Sequence, residues 1–159
     1  MDGLALARVL HVLAVVVWIG GVSIVTTALL PAVRKGEFGA DWLAAFQAIE
    51  RRFVRQARTA IIVVALSGLY MIVQADLWDR FRSAEYWWMH AMVCIWAIFA
   101  TGLFLVEPLF LDRRWRRGCA NERLEAVFAQ LAAVHWVLLT LSLITIFGAV
   151  AGSHGWSAF

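Results

Sequence analysis

The chain has 159 residues, of which 63% are hydrophobic, and its formal net charge is +3 at pH 7. A soluble domain of this length is nearer half apolar, so the composition favours a membrane protein over a water-soluble domain. The basic residues collect in two connections between apolar stretches, and this distribution argues against nucleic acid as a partner.

Four apolar stretches, at about residues 4–33, 60–74, 86–111 and 126–151, predict four membrane-spanning helices over about residues 4–33, 42–75, 86–111 and 123–151. About 20 apolar residues are needed to cross the hydrocarbon core of a bilayer. The expected fold class is therefore an all-α integral-membrane four-helix bundle, formed by a single domain over residues 1–159. The first stretch has no basic region before it and is too long for a signal peptide, so we expect it to be retained.

The placement of the basic residues predicts how this bundle is oriented. Eleven of the 14 lie between the first and second apolar stretches or between the third and fourth. Since Lys and Arg collect on the cytoplasmic side, we expect a bacterial inner-membrane protein with both termini periplasmic. The basic connections are then expected to meet anionic headgroups of the lipid bilayer. The eleven residues are Arg34, Lys35, Arg51, Arg52, Arg55, Arg58, Arg113, Arg114, Arg116, Arg117 and Arg123.

The first predicted helix carries His11, and Trp18 follows it seven residues later on the same face. A histidine in hydrocarbon is costly, so it usually faces the interior of a bundle and serves a site. Arg8 lies about one turn before His11, where it is expected to hold a haem propionate or to act as an interfacial anchor. Trp18 is expected either to stack on a macrocycle or to pack the core.

The second predicted helix is preceded by apolar positions at helical spacing, from Trp42 to Val54, with arginines between them. This pattern predicts an amphipathic segment that lies along the interface or extends the helix. Within the span, Ser67, Tyr70 and Gln74 recur at spacings of three and four and so share one face. A polar face inside a bundle predicts hydrogen bonds to a ligand or between helices. Small residues that would let helices approach closely are Gly20, Gly21, Gly68 and Gly102.

The third predicted helix carries His90, which the helix rise puts within about 4 Å of the depth of His11. The first and third helices of a four-helix bundle face each other across the core, so we expect the two imidazoles to ligate one haem b iron. Bis-histidine ligation leaves no open iron position and favours electron transfer, with a quinone or a membrane redox protein as the partner. The oligomeric state stays open.

Copper is the alternative cofactor, because soft ligands crowd one turn of the third helix. Met89, Met92 and Cys94 surround His90, and thioether, thiol and imidazole groups suit Cu(I). The same side chains also serve as ordinary packing residues.

Two further ionisable residues lie within the predicted spans. Glu107 is expected to carry protons or to pair with a nearby arginine such as Arg58. His135, in the fourth helix, lies about 13 Å from His11 along the membrane normal, which is too far for the same iron. A second haem, a proton relay and a hydrogen-bonded core position all remain open for it.

Three segments resemble the CopD and HemJ membrane families: "LHVLAVVVWIGGV" in the first helix, "ERRFVRQARTAIIVVALSGLY" in the second and "YWWMHAMV" in the third. HemJ is a haem-containing protoporphyrinogen oxidase, and CopD is a copper-resistance membrane protein. The resemblance implies that His11 is associated with haem and that His90 is the third-helix histidine. HemJ-like chains typically carry a lysine where Met92 stands, and this departure argues against the oxidase activity more than against the haem.

The leading hypothesis is therefore a small integral-membrane b-type haem protein with a redox role. A HemJ-like oxidase, a CopD-like copper transport protein and a structural subunit whose histidines only pack are the alternatives.

Overall fold

The computed structural model describes residues 2–37, 39, 42–111 and 121–156. Four helices form the fold, and no strand occurs within those ranges, so the predicted all-α four-helix bundle is confirmed. The first helix, α1, is α-helical over Gly3–Ile24, π-helical over Val25–Leu29 and α-helical over Leu30–Arg34. The others are α2 (Trp42–Gln74), α3 (Trp87–Thr101, continued as a π-helix over Gly102–Leu111) and α4 (Asn121–Ser153). Two 3-10 turns, Trp78–Arg82 and Ala84–Tyr86, join α2 to α3.

All four helices are long and apolar enough to cross a membrane. Large apolar side chains point outward along them; for example, Val16, Leu66 and Phe147 are 62%, 64% and 66% exposed. Continuous apolar surface of this kind is rare on soluble monomers, whereas lipid tails cover it at no cost. The chain is therefore a multi-pass membrane bundle. The four spans are Gly3–Arg34, Phe46–Gln74, Ala84–Glu107 and Phe128–Ser153.

The helices are packed in a ring in the order α1, α2, α3, α4, with the closest packing between α1 and α2. Helices α1 and α3 therefore lie on one diagonal, as predicted. They meet across the centre through Trp18 and Phe99, whose rings pack edge to face with centroids 5.0 Å apart. Aromatic pairs prefer this arrangement.

Successive helices run antiparallel, and this gives the bundle two distinct ends. Gly3 of α1 lies against Tyr70 of α2, whereas Gly21 of α1 lies against Phe53. We call the end with residues 2 and 156 the terminal face and the end with Arg51 to Arg58 the basic face. The second basic connection, with Arg113, Arg114, Arg116, Arg117 and Cys119, lies outside the described residues.

Two clusters of buried apolar side chains hold the helices together. The central cluster surrounds Trp18 and draws on all four helices, through residues such as Ile61, Ile95 and Leu139. The second lies near the basic face, where Phe46 packs edge to face on Phe128 with centroids 5.1 Å apart. Because α2 is continuous from Trp42, the predicted amphipathic segment is an extension of α2 that buries part of its apolar face in this second cluster.

Both prolines of the chain, Pro31 and Pro108, are associated with π-helical turns. A proline ring clashes with the carbonyl four residues earlier in an α-helix, and proline has no N–H to donate. In a π-helix the bond runs to the carbonyl five residues earlier, so Pro108 leaves the Leu103 carbonyl without its helical partner. Arg58 of α2 supplies the replacement, donating from Nε and Nη2 to that carbonyl at 3.0 and 2.7 Å.

Glycines allow close helix contacts at some predicted positions and not at others. Side chains lie directly against Gly21 and Gly68, as expected, whereas among the described residues no heavy atom of a neighbouring helix comes within 4 Å of where a Cβ would sit at Gly20 or Gly102. For these two the prediction is wrong. Two glycines of α4 were not predicted: Gly148 and Gly152 lie against the indole rings of Trp87 and Trp88 of α3. They let α3 and α4 approach at the terminal face.

Replacing Gly148 by alanine should destabilise the bundle. The added Cβ would lie 2.5 Å from Cζ2 of Trp87, so the indole must move. Overpacking of this kind costs about 1–3 kcal/mol, against a gain of about 1 kcal/mol in helix propensity. Denaturant titration in detergent micelles, followed by circular dichroism, measures the difference. Gly20→Ala is the matched control, because it has the propensity gain without the contact; equal stability of the two variants would contradict this account.

Candidate functional site

His11 is held against α2 by its Nδ1 atom. Nδ1 lies 3.1 Å from the backbone carbonyl oxygen of Val64 and 3.1 Å from Oγ of Ser67. A carbonyl can only accept a hydrogen bond, so Nδ1 carries the proton and donates it. The other ring nitrogen, Nε2, then has a free lone pair, and it has no hydrogen-bond partner among the described residues. This tautomer is the one that a metal-ligating histidine needs.

The position of the His11 ring depends on two small features of α2. Gly68 has no side chain, and a Cβ there would lie 3.3 Å from Cε1 and 3.5 Å from Nδ1 of the imidazole. The Oγ of Ser67 donates to the Val63 carbonyl, one turn earlier in its own helix. Because a carbonyl, a hydroxyl and a glycine come together on one turn of α2, the Nδ1–Cε1 edge of the imidazole lies against that helix.

Trp18 packs the centre of the bundle beneath His11, with only 4% of its surface exposed. Its indole N–H is buried and has no hydrogen-bond partner within the described ranges. A buried donor without an acceptor costs about 1–3 kcal/mol. The core below His11 therefore offers a hydrogen bond that the protein itself does not use.

His90 lies at the terminal face and is exposed. Its Nε2 donates to the carbonyl oxygen of Phe81 at 3.0 Å, and the Phe81 ring packs edge to face on it with centroids 5.4 Å apart. The structure thus does not bring His11 and His90 together, since each ring has its own partners. A bis-histidine pair requires His90 to leave Phe81, and it stays a prediction.

The rotation of α3 about its axis explains the position of His90. The inward side of α3 carries Phe99, which meets Trp18, and Trp96, whose indole N–H donates to the Ile61 carbonyl at 3.1 Å. Two helical turns, or about seven residues, nearer the terminal face, the residues on this same inward side of α3 are Met92 and Met89. At about 100° per residue, His90 lies about 100° from Met89 and about 160° from Met92, so it faces away from the centre.

The same helix register places two methionines at the depth of His11. Helices α1 and α3 run in the same direction, and Trp18 of α1 contacts Phe99 of α3. His11 lies seven residues before Trp18, and Met92 lies seven residues before Phe99, so His11 and Met92 lie at a similar depth in the bundle. Helix α2 runs the opposite way, and its Ile61 carbonyl contacts Trp96 of α3. Gly68 lies seven residues after Ile61, and Met89 lies seven residues before Trp96, so Gly68 and Met89 also lie at a similar depth. Met89 is buried. Sequence patterns alone, which give the spacing within one helix, do not reveal this relation between helices.

The remaining predicted cofactor residues lie in different environments. Ser67 is buried against His11, as described, and the Tyr70 hydroxyl lies against Gly3 of α1. The polar stripe of α2 therefore faces α1 over these two residues. Gln74 and Arg8 are exposed at the terminal face, and neither makes a hydrogen bond or ion pair within the part of the chain that is described. Arg8 is therefore free to meet an anionic group there.

His135 lies apart from His11, in the half of α4 nearer the basic face. Its Nδ1 donates to the carbonyl of Leu131 at 2.8 Å, within its own helix. The hydrogen bond to Leu131 also leaves Nε2 of His135 free to bind a metal. The same turn of α4 has no second histidine that could act as a further ligand. His135 therefore resembles His11 in protonation and differs from it in depth and neighbours.

Glu107 pairs with Arg58, which is one of the two expectations for this carboxylate. The guanidinium Nη2 lies 2.5 Å from Oε2, and the two side chains are 33% and 30% exposed. The guanidinium also lies over the Phe104 ring, 5.6 Å from its centroid. Arg58 thus joins α2 to α3 through a carboxylate, a carbonyl and an aromatic ring.

No group of three or more His, Cys, Asp or Glu side chains that could hold a metal ion occurs among the described residues. Comparison with known proteins gave no match, whether with family models, curated proteins or solved structures.

Replacing Arg58 by methionine should lower the free energy of unfolding by about 1–3 kcal/mol, because it leaves a carboxylate and a carbonyl unpaired. Adding Glu107→Gln should recover part of the loss by removing the unpaired charge. Arg82→Met is the control, since the Arg82–Asp79 pair is almost fully exposed and such pairs contribute at most about 1 kcal/mol. Denaturant titration in micelles measures all three variants, and equal effects of the two arginine substitutions would refute the account.

Proposed function

We propose that this chain is an integral-membrane b-type haem protein with a redox role, in which Nε2 of His11 would bind the iron. The observation that carries the proposal is the hydrogen bond from Nδ1 of His11 to the Val64 carbonyl, which leaves Nε2 free. Metal-bound histidines almost always donate their other ring N–H to a carbonyl or carboxylate, which fixes the tautomer and raises the basicity of the ligand.

Three neighbouring features also fit a haem. The buried N–H of Trp18 lacks an acceptor beneath His11, and Gly68 leaves the imidazole uncrowded. Arg8 is unpaired at the terminal face, where propionates of a haem at this depth would emerge. Arg80 and Arg82 are less available, since Arg80 lies over the ring of Tyr86 and Arg82 pairs with Asp79. When bound, the haem would supply one-electron chemistry, and these residues would bind and orient it.

The proposal includes a CopD- or HemJ-like membership, a bacterial inner membrane and periplasmic termini. The asymmetry of basic residues between the two faces supports this orientation. The site would then lie near the periplasmic surface, accessible to a quinone or a membrane redox protein. HemJ-like oxidation of protoporphyrinogen is the enzymatic alternative, and turnover of that substrate by the purified protein separates it from electron transfer alone.

Purified protein should show the Soret band and the reduced α-band of a b-type haem, and His11→Ala should abolish both. His135→Ala is the matched control, because His135 has the same Nδ1 hydrogen bond to a carbonyl but lies at a different depth. It should keep most of the spectrum. Haem retained by His11→Ala, or lost from both variants alike, would contradict the assignment of His11.

The second axial ligand can be identified by comparing His90→Ala with Met92→Leu. If His90 turns from Phe81 to the iron, its removal should leave a five-coordinate haem and Met92→Leu should have little effect. If Met92 is the ligand, which its register with His11 favours, the outcomes are reversed. Magnetic circular dichroism in the near infrared distinguishes the two ligand sets. A spectrum unchanged in both variants would show that neither residue binds the iron.

A copper site is the second candidate, and the register of Met89 and Met92 with His11 favours it. One imidazole and two thioethers form a soft ligand set that suits Cu(I). Elemental analysis of the same preparation tests this candidate. One equivalent of copper without a Soret band, lost in a Met89→Leu/Met92→Leu variant, would support copper in place of haem.

A further inference from the structure

The basic face contains a cavity that the proposed haem site does not use. Its volume is ≈ 420 Å³, and it lies between α2 and α3. Four arginines of α2 and one carboxylate of α3 line it, together with Ala48 and Val54. The charged residues are Arg51, Arg52, Arg55, Arg58 and Glu107.

The four arginines have different roles in this cavity. Arg58 is occupied by the Leu103 carbonyl and by Glu107. In contrast, Arg51, Arg52 and Arg55 are exposed and make no hydrogen bond or ion pair within the described ranges. Even with the neighbouring carboxylate of Glu50 counted beside Glu107, the four guanidinium groups leave a positive excess. The cavity therefore presents unpaired donors of the kind that bind phosphate.

The surroundings of the cavity indicate an amphiphilic ligand. On α3, Phe104 lies directly beside Arg58 and is exposed, and Leu105 and Val106 follow it with exposed side chains. On α2, Ile62 and Leu66 continue the face of Arg58 towards the terminal face at spacings of four, and both are exposed. A charged cavity thus opens onto an apolar surface that lies at the level of the lipid tails.

We propose that this cavity is a binding site for an anionic phospholipid. The unpaired guanidinium groups of Arg51, Arg52 and Arg55 would hold the phosphate, and the acyl chains would lie along the exposed apolar side chains of α2 and α3. Basic pockets between membrane helices bind anionic headgroups in this way. The link from Arg58 to Glu107 and Leu103 keeps α2 and α3 together below the headgroup, so Arg58 shapes the site.

The test is lipid binding by the full chain, measured by native mass spectrometry after incubation with phosphatidylglycerol or with phosphatidylcholine. We expect phosphatidylglycerol to bind preferentially. Arg51→Gln and Arg55→Gln should each weaken its binding about fivefold, the change expected for about 1 kcal/mol per basic residue near an anionic headgroup. Arg80→Gln/Arg82→Gln, at the terminal face, is the matched control and should bind as the unmodified chain does.

Three results would overturn the proposal. They are equal binding of the two lipids, an equal loss in the control variant, and displacement of the lipid by an equal concentration of inorganic phosphate, which would indicate a soluble ligand. Circular dichroism of each variant in micelles verifies that it remains folded. The result is independent of the haem spectrum, because none of the substituted residues is assigned to the haem.

Discussion

A carbonyl within a bilayer has no water to bond with, so one that loses its helical partner must find another donor. Pro108 creates this situation in α3, where the π-helical turn leaves the carbonyl of Leu103 unpaired. Arg58 of α2 donates two N–H groups to it, and Glu107 balances the charge. Because a guanidinium would otherwise be costly at this depth, the three groups stabilise one another only as a set. This set joins α2 to α3 at the basic face, and two of its members, Arg58 and Glu107, line the cavity beside it.

Much of the architecture could be predicted from the sequence. Runs of about 20 apolar residues indicate spanning helices whatever their neighbours are, because hydrocarbon solvates every outward face alike. Spacing within one helix gives the extension of α2 from Trp42 as one of two expectations, and it gives the polar stripe that contains Ser67, with bonds to a ligand or between helices as the two expectations for that stripe. The pairing of Glu107 with Arg58 was one of two expectations, and the cost of an unpaired charge in the membrane decides between them.

The rotation of each helix about its axis could not be predicted in the same way. An apolar outward face carries no signal that distinguishes it from the core, so the depth of His90 could be estimated but not the direction of its ring. Its partner, the Phe81 carbonyl, depends on the 3-10 turns of a connection whose shape no periodicity describes. The contacts of Trp87 and Trp88 with Gly148 and Gly152 have the same origin, since they arise from the pairing of two helices. The candidate site is therefore predictable in its histidine and in part of its polar stripe, but not in the depth that Met89 and Met92 share with His11.

Two carbonyls on one turn of α2 accept side-chain hydrogen bonds from two different helices. The Val64 carbonyl accepts from His11 of α1, and the Ile61 carbonyl accepts from Trp96 of α3, each at 3.1 Å. Helix α2 is thus hydrogen-bonded, within a single turn, to both of the helices that neighbour it through these contacts. The diagonally opposite helices α1 and α3 are therefore joined in two ways, directly through the rings of Trp18 and Phe99 and indirectly through one turn of the backbone of α2.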